Sequence, residues 1–117
     1  MKYFISMIVL VAGFLFSYAD SDPSFPGGSE ALKKYVSENT RYPQSAKDNE
    51  VEGVVVVGFI VMTDGSLKEV KIVKFVDPDL EKESLRVVNG MPAWIPAQKG
   101  GVAVEAPAKV DIPFILE

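Results

Sequence analysis

The 117-residue sequence contains no cysteine and no histidine. Without cysteine no disulfide can staple the chain, and thiolate nucleophiles and the usual Cys/His zinc sites are excluded. Without histidine the commonest general base is missing, so any catalysis would rest on carboxylates alone, and an enzyme is not expected. Basic side chains are in deficit, 12 against 16 acidic ones, and form no stripe that could neutralise phosphates, which argues against nucleic acid as a partner. Tryptophan occurs once, at Trp94. Long apolar runs are scarce too: the one at residues 3–16 is shorter than the roughly 20 residues a membrane-spanning helix needs.

That run reads as part of an export signal. Lys2 supplies the positive start, Ser6 and Gly13 interrupt the apolar stretch, and Ser17-Tyr18-Ala19 is a small-x-small exit. Residues 1–19 are therefore expected to be a cleaved signal peptide, with a short retained membrane anchor as the alternative. No cysteine stands at the exit to carry a lipid. Cleavage after Ala19 leaves 98 residues with 11 basic and 16 acidic side chains, enough for one small core. Residues 20–28 are rich in proline, glycine and polar residues and read as a leader, and residues 29–117 read as one domain without internal repeats.

Within that domain, Ser29 is the expected N-cap of a helix over residues 29–39, whose Ala31, Leu32, Tyr35 and Val36 fall on one stripe. Tyr42-Pro43 breaks the pattern, and Pro43 can open a second short turn through Ala46. Residues 53–62 are a β-branched run with apolar side chains on both faces, hence a strand. Asp64-Gly65 is a hairpin turn signal leading into a second strand over residues 67–75. Asp77-Pro78-Asp79 starts a helix with a cap, a proline at N1 and acidic first-turn residues, and Gly90 suits its end.

The stretch Met91-Pro92-Ala93-Trp94-Ile95-Pro96-Ala97 then holds the indole on a stiff, extended connection that forbids further helix. The expected role of Trp94 is a clamp over one end of the core rather than a stacking platform for a ligand. From residue 104 to 116 the pattern alternates strictly. Val104, Ala106, Ala108, Val110, Ile112, Phe114 and Leu116 share one face, and Glu105, Lys109 and Asp111 lie on the other with Pro107 and Pro113. The two prolines have the same parity, so both missing N–H groups lie along one edge, which is tolerated where that edge faces solvent. The chain should therefore end in an edge strand. The expected fold is α+β: a two-layer domain with two helices on one face of a three-stranded antiparallel sheet.

Taken in order, Phe25-Pro26-Gly27-Gly28, Tyr42-Pro43 with Ala46, Gly53, Asp64-Gly65, Leu80, the Met91–Ala97 run and Pro113-Phe114 resemble the C-terminal domain of TonB, the periplasmic energy transducer. The resemblance covers roughly residues 30–116. It implies a periplasmic domain that grips the TonB-box peptide of an outer-membrane transporter by strand addition, in energy-dependent nutrient uptake, with inner-membrane motor proteins as further partners. On this sequence the expected grip is residues 105–111, with Glu105, Ala106, Lys109, Val110 and Asp111 as the peptide-binding set. Tyr42, Pro43, Asp64, Gly65, Met91, Pro92, Trp94 and Pro96 form the structural motif. The alternative is a stand-alone interaction module without energy coupling, which pairs with a second copy through the same edge. Prolines on an edge also serve simply to block unwanted pairing.

No cofactor or metal is expected. Asp77, Asp79, Glu81 and Glu83 cluster over a helix start, where carboxylates are favoured by the dipole. Ser84 lies on the core side of that helix with no base near it in sequence. Lys33-Lys34 and Lys68, Lys71 and Lys74 read as solvated faces.

Overall fold

The computed structural model of the protein describes residues 20–117, and the expected export segment lies outside them. Helices α1 (Gly28–Asn39) and α2 (Gln44–Asp48) precede strands β1 (Gly53–Val61) and β2 (Leu67–Lys74). Helix α3 (Pro78–Asn89) follows, then β3 (Ala97–Lys99), β4 (Val102–Val104) and β5 (Ala106–Phe114). Strands β2, β1 and β5 form an antiparallel sheet in that order, and β3 and β4 form a separate hairpin. The expected α+β architecture is what the chain adopts. Among the described residues no helix is long and apolar enough to cross a membrane.

The core lies between the helices and one sheet face. Val55, Val57, Phe59 and Val61 alternate inward along β1 and are at most 3% exposed. Val110, Ile112 and Phe114 do the same on β5. Helix α3 packs on β1 and β2, contributing Leu80, Val87 and Val88. Asp77 caps it, accepting from the amides of Asp79 (2.9 Å) and Leu80 (3.2 Å), with Pro78 in the first turn. Strand β2 carries two irregularities in its register with β1, at Val73 and around Glu69, which add twist to an otherwise regular hairpin.

Three local expectations are corrected. Ser29 is not the N-cap: Gly27 holds that position and no side chain caps the helix. Gly90 closes α3 with φ −93°, so it does not take the left-handed conformation expected of a glycine stop. A Cβ there would stand 3.4 Å from the Tyr35 hydroxyl, an ordinary contact, and that hydroxyl donates to Val87 O at 3.1 Å.

The third correction concerns the last strand, which is broken at Glu105 into β4 and β5. Val104 pairs with Ala97, whereas Ala106 pairs with Val61 of the main sheet, so the chain changes partner between them. The β3–β4 turn runs through Gly100 and Gly101, both at positive φ (58° and 80°), which glycine adopts without strain. The leader joins this hairpin. Ser21 bridges Gln98 and Ser24 bridges Ile95, so residues 21–24 lie antiparallel along the outer side of β3. Phe25 at their end is buried against Trp94 and Tyr35.

Candidate functional site

Strand β5 has one neighbour, β1, and among the described residues no strand lies on its other flank. Its register with β1 runs from Val61↔Ala106 to Gly53↔Phe114 without a shift. Pro107 sits opposite Ile60 and Pro113 opposite Val54 in this unbroken ladder. A proline has no N–H to give, so it keeps such a place only where the hydrogen-bonded pairs are formed by its neighbours. The ladder bonds to β1 therefore come from even-numbered residues. By the same alternation, the main-chain N–H groups of Lys109 and Asp111 point to the vacant flank, together with the carbonyls of Pro107, Lys109, Asp111 and Pro113.

Four of the five expected grip residues lie together on β5. The side chains of Lys109 and Asp111 emerge on the outer sheet face, opposite Gly58 and Val56. Val110 is buried on the helix side, and Ala106 is half-buried. Glu105 stands apart at the β4–β5 junction, and its carboxylate pairs with Lys68 of β2, on the far side of β1, at 3.2 Å.

The structural-motif residues collect at the two ends of the sheet. At one end the Met62–Ser66 turn is closed by Met62 N–H donating to Ser66 O (2.8 Å), and Asp64 Oδ1 accepts from the Ser66 amide (2.9 Å) and hydroxyl (2.6 Å). These bonds to Ser66 hold the Asp64 carboxyl below its ordinary pKa. Gly65 O accepts from the Trp94 amide at 2.9 Å, which ties the Met91-Pro92-Ala93-Trp94 connection to this turn. Trp94 is 6% exposed, edge-on to Phe59 at 5.1 Å and to Phe25 at 5.8 Å. The expected clamp is thus part of the core. Pro96 leads into β3. At the opposite end Tyr42, ahead of Pro43, packs edge-on to Phe114 at 5.5 Å and donates its hydroxyl to Val51 O.

Two hollows flank β5. On the outer face a shallow groove of about 450 Å³ runs between Val73, Gly58, Ile60 and Lys109. On the helix side a cleft of about 630 Å³ separates α1 from the vacant flank, between Val36 and Thr40 on one side and Asp111, Pro113 and Phe114 on the other. Neither the cleft nor the β3–β4 hairpin was anticipated from sequence, although a Gly100-Gly101 pair ahead of Val102-Ala103-Val104 is a turn signal.

Three of the acidic residues near α3 are engaged locally. Asp77 caps the helix, Asp79 accepts from the Ser45 hydroxyl, and Glu83 binds Arg86 (2.8 and 2.7 Å) and the Arg41 amide (2.7 Å). The Arg86 bonds hold the Glu83 carboxyl below its ordinary pKa. Among the described residues no group of three His, Cys, Asp or Glu is placed to hold a metal. Ser84 is fully buried and donates to Leu80 O at 2.7 Å.

The arrangement is that of a small sheet with a spare edge. The sequence matches the family described as the Gram-negative bacterial TonB protein C-terminal over residues 38–116. The chain belongs to this family. Two solution structures of the Helicobacter pylori TonB C-terminal domain are similar to it. One, of residues 179–285 of that protein, is 25% identical with a TM-score of 0.56, covering 74% of this chain and 78% of that one. The other, of residues 194–285, is 23% identical with a TM-score of 0.54, covering 73% and 89%, and speaks for the fold alone. No curated protein sequence matches the chain. The TonB C-terminal family is one of protein-interaction domains that engage outer-membrane transporters.

Proposed function

We propose that this protein is a periplasmic TonB-like domain that binds the TonB-box peptide of an outer-membrane transporter, in energy-dependent nutrient uptake. The peptide adds as a fourth strand on the vacant flank of β5. The observation that carries this reading is the parity of Pro107 and Pro113 in the β1–β5 register, which turns the main-chain groups of Lys109 and Asp111 away from β1. Backbone pairing supplies the affinity, and the Lys109 and Asp111 side chains flank the peptide on the outer face.

The test is a titration of isotope-labelled protein with synthetic TonB-box peptides. The amides of Lys109 and Asp111 should move while those of Val110 and Ile112, engaged with β1, move least. No change along β5 at millimolar peptide would end the proposal. Sedimentation at rising protein concentration tests the competing reading, in which the same edge pairs with a second copy.

A further inference from the structure

The helix-side cleft lies where the side chains of an added strand would go. Successive side chains of an extended peptide alternate between the two sheet faces, with residues two apart spaced by roughly 7 Å. Those on the helix side of a strand beside β5 enter the space between α1 and the flank. That space is floored by apolar groups: Val36 is 6% exposed, Phe114 1%, and Tyr42 packs on Phe114. Thr40, which follows α1, lines it as well. Its Oγ1 is buried and has no hydrogen-bond partner among the described residues. An orphaned buried hydroxyl in the cleft wall is costly to the free domain.

Resting on the strand-addition reading, we infer that the α1–β5 cleft is the side-chain pocket of the peptide site. It selects segments with aliphatic residues at alternating positions. The partner chemistry follows from the lining. Val36, Tyr42 and Phe114 favour aliphatic side chains; of the charged residues, Lys33 and Glu117 are exposed at the rim, and Asp111 borders the cleft with its side chain on the outer sheet face. Main-chain pairing along Lys109 and Asp111 is indifferent to peptide sequence; the cleft is what distinguishes one extended segment from another. It also centres the grip on residues 109–113, further along the chain than residues 105–111, because the cleft borders Asp111 and Pro113 and not Glu105.

The test compares two capped hexapeptides, Ser-Thr-Val-Thr-Val-Ser and its analogue with serine in place of both valines, by amide titration. The unmodified protein and Ser37→Trp are titrated in parallel. Ser37 is exposed on the cleft rim, so an indole there fills the cleft while every residue of β5 stays unchanged. The unmodified protein should bind the valine peptide at least tenfold tighter. Ser37→Trp should bind both equally weakly, with the Lys109 and Asp111 amides still shifting. Lys33→Trp, one turn away, serves if Ser37→Trp loses its dispersed spectrum. Equal affinities in the unmodified protein, or a preference that survives the tryptophan, overturn the pocket while leaving strand addition standing. Absence of any β5 shift with either peptide removes the reading beneath it and the pocket together.

Discussion

The carbonyl oxygen of Trp94 lies 2.2 Å from where a Cβ on Gly65 would be, and the Trp94 amide donates to Gly65 O at 2.9 Å. The β1–β2 turn and the proline-flanked connection are thus in backbone contact, and only a residue without a side chain fits between them. Gly65 also has φ +88°. Gly65→Ala is expected to lose at least about 2 kcal/mol, from the left-handed strain together with the clash. Urea unfolding followed by tryptophan fluorescence measures it, and an unchanged midpoint would contradict the contact.

Trp94 buries its ring between Phe25 and Phe59, and its Nε1 has no hydrogen-bond partner among the described residues. Trp94→Ala should cost about 3–5 kcal/mol through the cavity it leaves. Trp94→Phe should cost less than half of that, since it keeps most of the packing and removes an unpaired buried donor. A comparison of the two variants by thermal unfolding separates packing from polarity.

The alternation along β5 makes a sharper prediction. Lys109→Pro removes an N–H aimed at the vacant flank, so the domain should stay folded while peptide affinity falls at least tenfold. Val110→Pro removes a ladder bond to β1 and should unfold the domain, a loss of about 3 kcal/mol or more. Circular dichroism on both variants decides it. If the two behaved alike, the assignment of odd residues to the free flank would be wrong.

Glu83 titrates below its ordinary value of 4.5 because Arg86 binds its carboxylate, with the Arg41 amide assisting. A depressed folded pKa means that the unfolded chain binds more protons in this range. The contribution to stability is therefore complete above about pH 4.5 and is lost as pH falls through the lower folded value. Glu83→Gln should lower stability at neutral pH by about 1–2 kcal/mol and flatten its decline between pH 5 and 3. Denaturant midpoints across that range provide the check.

Much of this was legible in the chain itself, for identifiable reasons. The β1 run and the strict alternation from Ala106 to Phe114 are strong signals because one sheet face is buried, and Asp77-Pro78 fixes a helix start by local chemistry alone. The break at Glu105 was not legible: Val104 and Ala106 keep the same alternation through the junction, so no change of pattern marks the change of partner. Residues 21–24 pair with β3 through backbone groups, which leaves no trace in their polar side chains. The cleft is invisible for another reason. It exists because Tyr35 and Phe25 hold α1 toward α3 and Trp94, leaving space beside β5, and such spacing is a property of the assembled fold.

The proline parity of β5 has a consequence for how such a domain changes over generations. Even-numbered residues build the ladder and the core, whereas odd-numbered ones face outward in both side chain and main chain. Drift at Lys109 or Asp111 therefore leaves the scaffold untouched. Selection is free to vary the outer-face side chains beside the free edge without first having to rescue the fold.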